Sequence, residues 1–405
     1  MLQKHAQVKK IKGSILAISA DARKSKKEDP STIDGTIGML YDENGNLMTL
    51  NSVKKTLNTL DDMDNYSYST TSGGAIFKES IIDWTFRGYK DEILDKMHCE
   101  VIATPGGSGA IGISIANYLE PNQYLITSDF GWSNYNVIAY ENYNNILYYS
   151  LFDENLGFNL DSFKVAVNKS VSEQNRAFII INDPCHNPTG FSLERNDWEE
   201  IIKFLNTFTC PIILFLDMAY IDYLPKGLDY SREVFKLFTE LNDNILVNLG
   251  FSGSKTFSVY GLRLGALIGL SKDKKIIEQF FDANEYSARG RWSNTNHQAI
   301  SMVNTIMNDK TLKAEFEEEL KNASIMLSSR ANAFIKEAKE INLFTYPYKG
   351  GFFLTIPCNG EEVYEALKKE KIFIIPLKNG VRISLSALSL ANIKGLAAKI
   401  KEKIK

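Results

Sequence analysis

The sequence is poor in the residues that staple or metallate proteins. It has four cysteines and four histidines in 405 residues. Cys99, Cys185, Cys210 and Cys358 are scattered, and no two stand at a Cys-x-x-Cys spacing, so the common zinc and dithiol motifs are excluded. Four cysteines in so long a chain make no disulfide framework, which points to a reducing compartment. The histidines (His5, His98, His186, His297) are equally dispersed, and no metal site is expected. Charge of one sign is not in excess: 46 Lys and Arg face 49 Asp and Glu, a net −3, which gives no support to a nucleic-acid partner. No apolar run reaches the length of a membrane span. The short one at 15–20 is followed at once by charges, unlike a signal peptide, and a cytoplasmic protein is expected. Gly-x-Gly-x-x-Gly and Gly-Lys-Ser/Thr are both missing, so neither dinucleotide fingerprint nor P-loop is present. No repeat or Pro/Gly/Ser linker divides the chain.

What is present is a large apolar fraction, 44%, enough to build a sizeable core without staples. Apolar runs occur at 101–104, 124–127, 146–151, 177–182 (AFIIIN), 211–217 (PIILFLD), 245–249 and 262–270. Several are continuous rather than alternating, the pattern of strands covered on both faces. Helical stretches such as 193–205 and 232–241 lie between them. This alternation predicts an α/β fold with a mostly parallel sheet flanked by helices. After Lys310 a long helix is expected over 312–339, then short strands in GGFFLTIP, KIFIIP and VRISLS, a smaller α+β unit. Three regions are therefore expected: residues 1–50 packing with the small domain, a large domain at 51–310, and the small domain at 311–405.

Ligands of such sheets bind beyond the carboxyl ends of the strands, and four of the apolar runs end in unusual polar residues. Thr104-Pro-Gly-Gly-Ser-Gly-Ala110 is a glycine-rich turn opening a helix, and Gly107, Ser108 and Gly109 can cradle a phosphate there. Asn182-Asp-Pro-Cys-His-Asn-Pro-Thr-Gly190 is a stiff loop able to present the Asn187 side chain in one position. Asp217-Met-Ala-Tyr220 puts a carboxylate at the mouth of a buried strand, where it must be paired; a protonated pyridine nitrogen is one such partner. Ser252-Gly-Ser-Lys255 places a lysine among small residues after a buried strand. Desolvation there makes its amine a nucleophile suited to a Schiff base. Arg263 follows eight residues on, with a planar fork for a phosphate. Each motif alone also reads as an ordinary turn, cap or surface lysine. Together, in this order, they describe the binding site of one molecule, pyridoxal 5'-phosphate.

HNPTG, LFLDMAY and SGSK…YGLRLG, in that order, resemble the class I aminotransferases of the aspartate aminotransferase fold, the aspartate/aromatic branch above all. Ile33-Asp-Gly-Thr-Ile-Gly-Met-Leu-Tyr-Asp-Glu-Asn-Gly-Asn is similar to the N-terminal region of that branch, so the resemblance runs from about Lys12 to Ala387. It implies Lys255 as the Schiff-base lysine and proton shuttle, and Asp217 as the partner of the pyridine nitrogen. It implies Tyr220 and Asn187 as donors to the ring oxygen, and Ser252, Arg263 and the Gly107-Ser108 turn as the phosphate site. Trp132 stands where the family stacks an aromatic on the ring. Arg382 resembles the arginine that clamps the substrate carboxylate, and Gly38 the small residue near the substrate. Tyr68, five residues before Gly73, matches a tyrosine that reaches the phosphate of the neighbouring subunit, which implies a homodimer with shared sites. Thr70 and Thr71 replace the usual proline and apolar residue there.

The chain departs from the dicarboxylate-specific members at Arg289-Gly-Arg-Trp-Ser-Asn-Thr-Asn-His-Gln298. Both expected prolines are missing, and the position of the second substrate arginine falls near Ser301. Arg291 and His297 are the nearby candidates to face substrate. The expected reaction is ping-pong transfer of an amino group from an aromatic, neutral or acidic amino acid to a 2-oxo acid such as 2-oxoglutarate. A lyase or decarboxylase on the same fold would use the same cofactor groups.

Overall fold

The computed structural model describes residues 1–10 and 15–404; Lys12, where the resemblance begins, lies outside them. The described chain forms two compact units. One comprises Met48–Met326 with Pro347–Gly351, the other Met1–Leu47, Leu327–Tyr346 and Phe352–Lys405. Among the described residues no helix is long and apolar enough to cross a membrane.

The larger unit is built on a seven-stranded sheet. Its strands are β1 (His98–Pro105), β2 (Tyr124–Ser128), β3 (Asn145–Tyr149), β4 (Ala177–Asn182), β5 (Ile212–Asp217), β6 (Ile245–Ser252) and β7 (Leu264–Ser271), in the order β1-β7-β6-β5-β4-β2-β3. Every residue of β4, β5, β6 and β7 is buried, which is why these segments carry no polar/apolar alternation. Each large apolar side chain sealed in this way contributes about 1.5–3 kcal/mol. Helix α1 (Gly106–Tyr118) covers the sheet with Ala110, Ile111, Ile113 and Ile115, which join Phe178, Ile180, Phe215 and Leu267 in one core cluster.

Six strands run in one direction and β7 in the other. Pairings β2–β3, β2–β4, β4–β5 and β5–β6 are parallel, whereas β7 is antiparallel to both β6 and β1. The cause is the short link from β6 to β7, which holds only the four-residue helix α3 (Gly253–Thr256); a parallel return needs a crossover of a dozen residues or more. The reversal has a functional consequence. It brings the amino end of β7, and Arg263 just before it, to the same edge as the carboxyl ends of β1, β4, β5 and β6. Register makes this concrete: Asn182 lies opposite Asp217, Asp217 opposite Gly250, Ser252 opposite Gly265, and Gly265 opposite Thr104.

The stretch expected as a helix at 232–241 is broken. Only Val234–Leu237 is α-helical, between 3₁₀ turns at Tyr230–Arg232 and Phe238–Glu240. Phe235 and Phe238 are both fully buried at a spacing of three, which a 3₁₀ turn aligns on one side, and Arg232 is drawn into the interior. In the smaller unit, β8 (Phe353–Ile356), β10 (Ile375–Leu377) and β11 (Gly380–Ser384) form an antiparallel sheet in the order β10-β11-β8. Ile33–Asp34 pairs in parallel with β9 (Ile372–Phe373).

Close approach of β7 to the start of α1 leaves no space for a side chain at Gly265: a Cβ there would stand 2.5 Å from the Gly106 carbonyl carbon. Gly290, in the helix Lys274–Arg291, has nothing within 4 Å. Gly265→Ala is therefore expected to lose about 1–3 kcal/mol to overpacking, and Gly290→Ala to lose none or gain up to about 1 kcal/mol of helix propensity. Denaturant melts of the two variants check this, and equal stability would show that the strand–helix contact yields freely.

Candidate active site

The edge where the four motifs end is a polar seam on an apolar sheet. At its centre the Asp217 carboxyl is only 6% exposed. Burial pushes it up to about 6, opposed by the Tyr135 hydroxyl, which donates to Oδ2 at 2.5 Å, by the Ala219 N–H, which donates to Oδ1 at 3.3 Å, and by the charge of Lys255. A cation brought to this carboxylate would offset its desolvation.

Asn187 is carried by the loop after β4, which has cis peptides at Asp183–Pro184 and Asn187–Pro188. Asn182 couples that loop to β5: its Nδ2 donates to the Asp217 carbonyl at 2.7 Å, and its Oδ1 accepts the Asn187 N–H at 2.7 Å. The Asp183 carboxylate accepts from the Leu193 N–H at 2.8 Å and from Trp198 Nε1 at 3.2 Å. His186 is sealed inside the loop against the Thr189 hydroxyl at 2.9 Å, and burial lowers its pKa to about 3, so the imidazole is neutral and structural.

Lys255 sits in α3, half-buried, with its ammonium nitrogen 4.8 Å from the Tyr260 ring centre and 5.8 Å from that of Tyr220. Aromatic faces favour a cation and keep it aimed along one path. The helix is held from below. The Tyr223 hydroxyl donates to the Lys255 carbonyl at 2.7 Å, and the Thr256 hydroxyl to Asp222 Oδ2 at 2.6 Å. Asp222 is in turn paired with Arg232, both fully buried. Arg232 also donates to the carbonyls of Ile221 and Leu228 and lies over the Trp84 ring.

The glycine turn meets Arg263 directly. Gly106 has φ +73°, and a Cβ there would fall 2.5 Å from an Arg263 guanidinium nitrogen. Arg263 donates to the Ser254 hydroxyl at 3.0 Å and to the Tyr260 carbonyl at 2.9 Å. Helix α1 begins without a side-chain cap, so the first-turn N–H groups of Gly106, Gly107 and Ser108 have no partner in the helix itself. Ser252, buried at the end of β6, has its Cβ 3.7 Å from where one on Gly107 would lie. A guanidinium, a helix start and a hydroxyl on one side, a buried carboxylate and a lysine on the other, suit a molecule with a phosphate and a cationic ring nitrogen.

Trp132 precedes the helix α2 (Asn134–Glu141), and its ring meets that of Tyr135 edge-on at 5.6 Å. Tyr68 is 92% exposed. Gly38 and Arg382 belong to the smaller unit. There the Arg382 guanidinium carbon lies 4.3 Å over the Phe353 ring, and its Nη2 donates to the Thr36 carbonyl at 2.5 Å; a Cβ on Gly38 would strike Phe353 at 2.5 Å. The remaining candidates have local partners: Arg291 donates to Asn142 Oδ1 at 3.3 Å, and His297 Nδ1 shares a hydrogen bond with Ser67 at 3.0 Å. Ser301 is buried.

Three contributors escape the motif reading: Tyr135, Tyr223 and the Asp222–Arg232 pair. Two signals point to them in retrospect. Tyr135 stands three residues after Trp132, and Asp222 is a second carboxylate five residues after the first.

Similarity to known proteins extends over nearly the whole chain. A family model described as aminotransferase class I and II matches residues 35–400. The aspartate aminotransferase of Escherichia coli (strain K12) is 24% identical over 387 residues, covering 92% of this chain and 93% of its own. The aromatic-amino-acid aminotransferase of the same organism is 25% identical over 382 residues, covering 92% and 93%. Among solved structures, an aminotransferase from Anaerococcus prevotii DSM 20548 superposes with a TM-score of 0.96 at 33% identity, covering 100% of both chains. An aromatic-amino-acid aminotransferase from Burkholderia pseudomallei, covalently bound to pyridoxal phosphate, shares the fold with a TM-score of 0.84 at 20% identity, again over 100% of both chains.

Removing one member of the buried ion pair beneath Lys255 leaves the other uncompensated. Asp222→Ala is expected to cost about 3–5 kcal/mol, read as a lower denaturation midpoint. Wild-type stability in that variant would mean the pair does not hold α3.

Proposed function

The chain belongs to the aminotransferase class I and II family, and on that premise we propose that the seam around Lys255 and Asp217 is where it moves amino groups from an amino acid to a 2-oxo acid. It is a pyridoxal-phosphate-dependent transferase. The observation that carries the site assignment is the convergence, at one edge of one sheet, of Asp217, Ser252, Lys255 and the Gly106–Arg263 contact. Bound pyridoxal phosphate supplies an electron-withdrawing ring that loosens the proton on the substrate α-carbon and stores the amino group between half-reactions.

Each residue has a separate task in this reading. Gly107, Ser108, Gly109, Ser252 and Arg263 hold the phosphate, and Trp132 covers the ring. Asp217 keeps a proton on the ring nitrogen. Asn187 and Tyr220 donate to the ring oxygen. Lys255 Nζ is the point of attachment and then the base that carries the α-proton. Arg382 takes the substrate α-carboxylate in a two-pronged grip, with Phe353 keeping the guanidinium flat, and Gly38 leaves room for Phe353. Orientation matters because the α-proton must face the base.

The working assembly in this reading is a cytoplasmic homodimer in which Tyr68 serves the neighbouring subunit's phosphate. Tyr68, Tyr66 and Met63 form exposed apolar surface of the kind that partners cover. All four cysteines are free, as a reducing compartment favours. The amino donor is proposed to be neutral or aromatic at least as readily as acidic, because the position of a second substrate arginine falls near Ser301, which is not an arginine. A distal carboxylate without a cation bears an uncompensated desolvation cost.

The test is a single-turnover experiment on the holoenzyme. Aromatic or neutral amino acids should bleach the visible cofactor band, and 2-oxoglutarate should restore it. Aspartate should be no faster than tyrosine, phenylalanine or methionine. Release of ammonia or carbon dioxide without reversal would replace transfer by a lyase or decarboxylase reaction. A strong preference for aspartate would overturn the donor assignment alone.

A further inference from the structure

The Asp217 carboxylate has two unequal oxygens. Oδ2 receives the Tyr135 hydroxyl at 2.5 Å, whereas Oδ1 receives only the Ala219 N–H, long at 3.3 Å. Tyr135 comes from α2, far from Asp217 in sequence, and is 1% exposed within the main core cluster. Its ring is held edge-on by Trp132, so the hydroxyl has little freedom to turn away. The backbone of Asp217 is fixed separately, by the sheet and by Asn182. The phenol is therefore the side-chain contact that selects the orientation of the carboxylate.

We propose that Tyr135 is a positioning residue for the cofactor: its hydroxyl locks the Asp217 rotamer, favours the ionised carboxylate and leaves Oδ1 to hold the proton on the ring nitrogen. This rests on the role proposed above for Asp217. Burial and the neighbouring carboxylate push the Tyr135 hydroxyl well above its ordinary range, so it remains a donor throughout the working pH range. A donor to the charged form stabilises that form, and such charge-assisted bonds are stronger than neutral ones. The other titratable groups bearing on the pair are Lys255 and Tyr220 beside Asp217 and Tyr135, and Tyr149 beside Tyr135. Among the described residues no other side chain donates to the Asp217 carboxylate.

Tyr135→Phe removes the hydroxyl and keeps the ring. Two readouts on the holoenzyme test its role: the pH titration of the visible band, and cofactor retention by equilibrium dialysis. With Asp217 less firmly ionised, the ring nitrogen keeps its proton less well, the ring withdraws less charge, and Lys255 Nζ holds its own proton to higher pH. The band midpoint is expected to rise by up to about one pH unit, and retention to weaken roughly tenfold. Asp217→Asn removes the charge that the hydroxyl serves, so Tyr135→Phe should add little in that background. A wild-type titration in Tyr135→Phe, or equal shifts in both backgrounds, overturns the proposal and assigns Tyr135 to packing. A wild-type protein with no visible band would instead defeat the cofactor role of Lys255, and this inference with it.

Discussion

The Asp217 carboxylate ends a strand whose every residue is buried, and a carboxylate in such a place costs several kcal/mol unless it is paired and hydrogen-bonded. Much of the surrounding structure meets that cost. Tyr135 reaches in from α2, the Ala219 N–H turns back toward the carboxylate, and the positive charge of Lys255 bears on it from the next strand's end. In the proposed site, a cationic ring nitrogen fills what these leave unmet. The same burial that penalises an idle carboxylate would make this one, in the proposed role, a strong holder of a proton on a bound heterocycle.

Sheet topology does the rest of the positioning. Because β7 runs against its neighbours, Arg263 enters the sheet at the edge where β1, β5 and β6 leave it. The residues proposed for the phosphate and the ring nitrogen are thereby placed at one edge by backbone hydrogen bonds, which are rigid, rather than by long side chains. The Asp222–Arg232 pair performs the analogous service beneath Lys255, anchoring a four-residue helix too short to be stable alone.

The central strands were legible because both of their faces are covered. AFIIIN and IILFLD have no alternation to misread, and each ends in the polar residue that matters, Asn182 and Asp217. The glycine turn, Lys255 and Arg263 were legible because small residues and a lone cation after an apolar run are hard to explain as core or surface. Contacts between distant segments were not: nothing local in Tyr135 announces a bond to a residue 82 positions away. The broken helix at 232–241 failed for a related reason, since Arg232 reads as a solvent-facing residue until its partner Asp222 is placed beside it. The direction of β7 was implicit in the shortness of its link to β6, a feature that hydrophobic pattern alone does not weigh.

The most direct measurement on the central claim is chemical. The purified holoenzyme is reduced with borohydride, digested, and its peptides are mapped by mass spectrometry for the lysine that carries the reduced cofactor. The account predicts the label on Lys255 and on no other lysine. A label on a different lysine such as Lys349, or none in a protein that retains its cofactor, would contradict it.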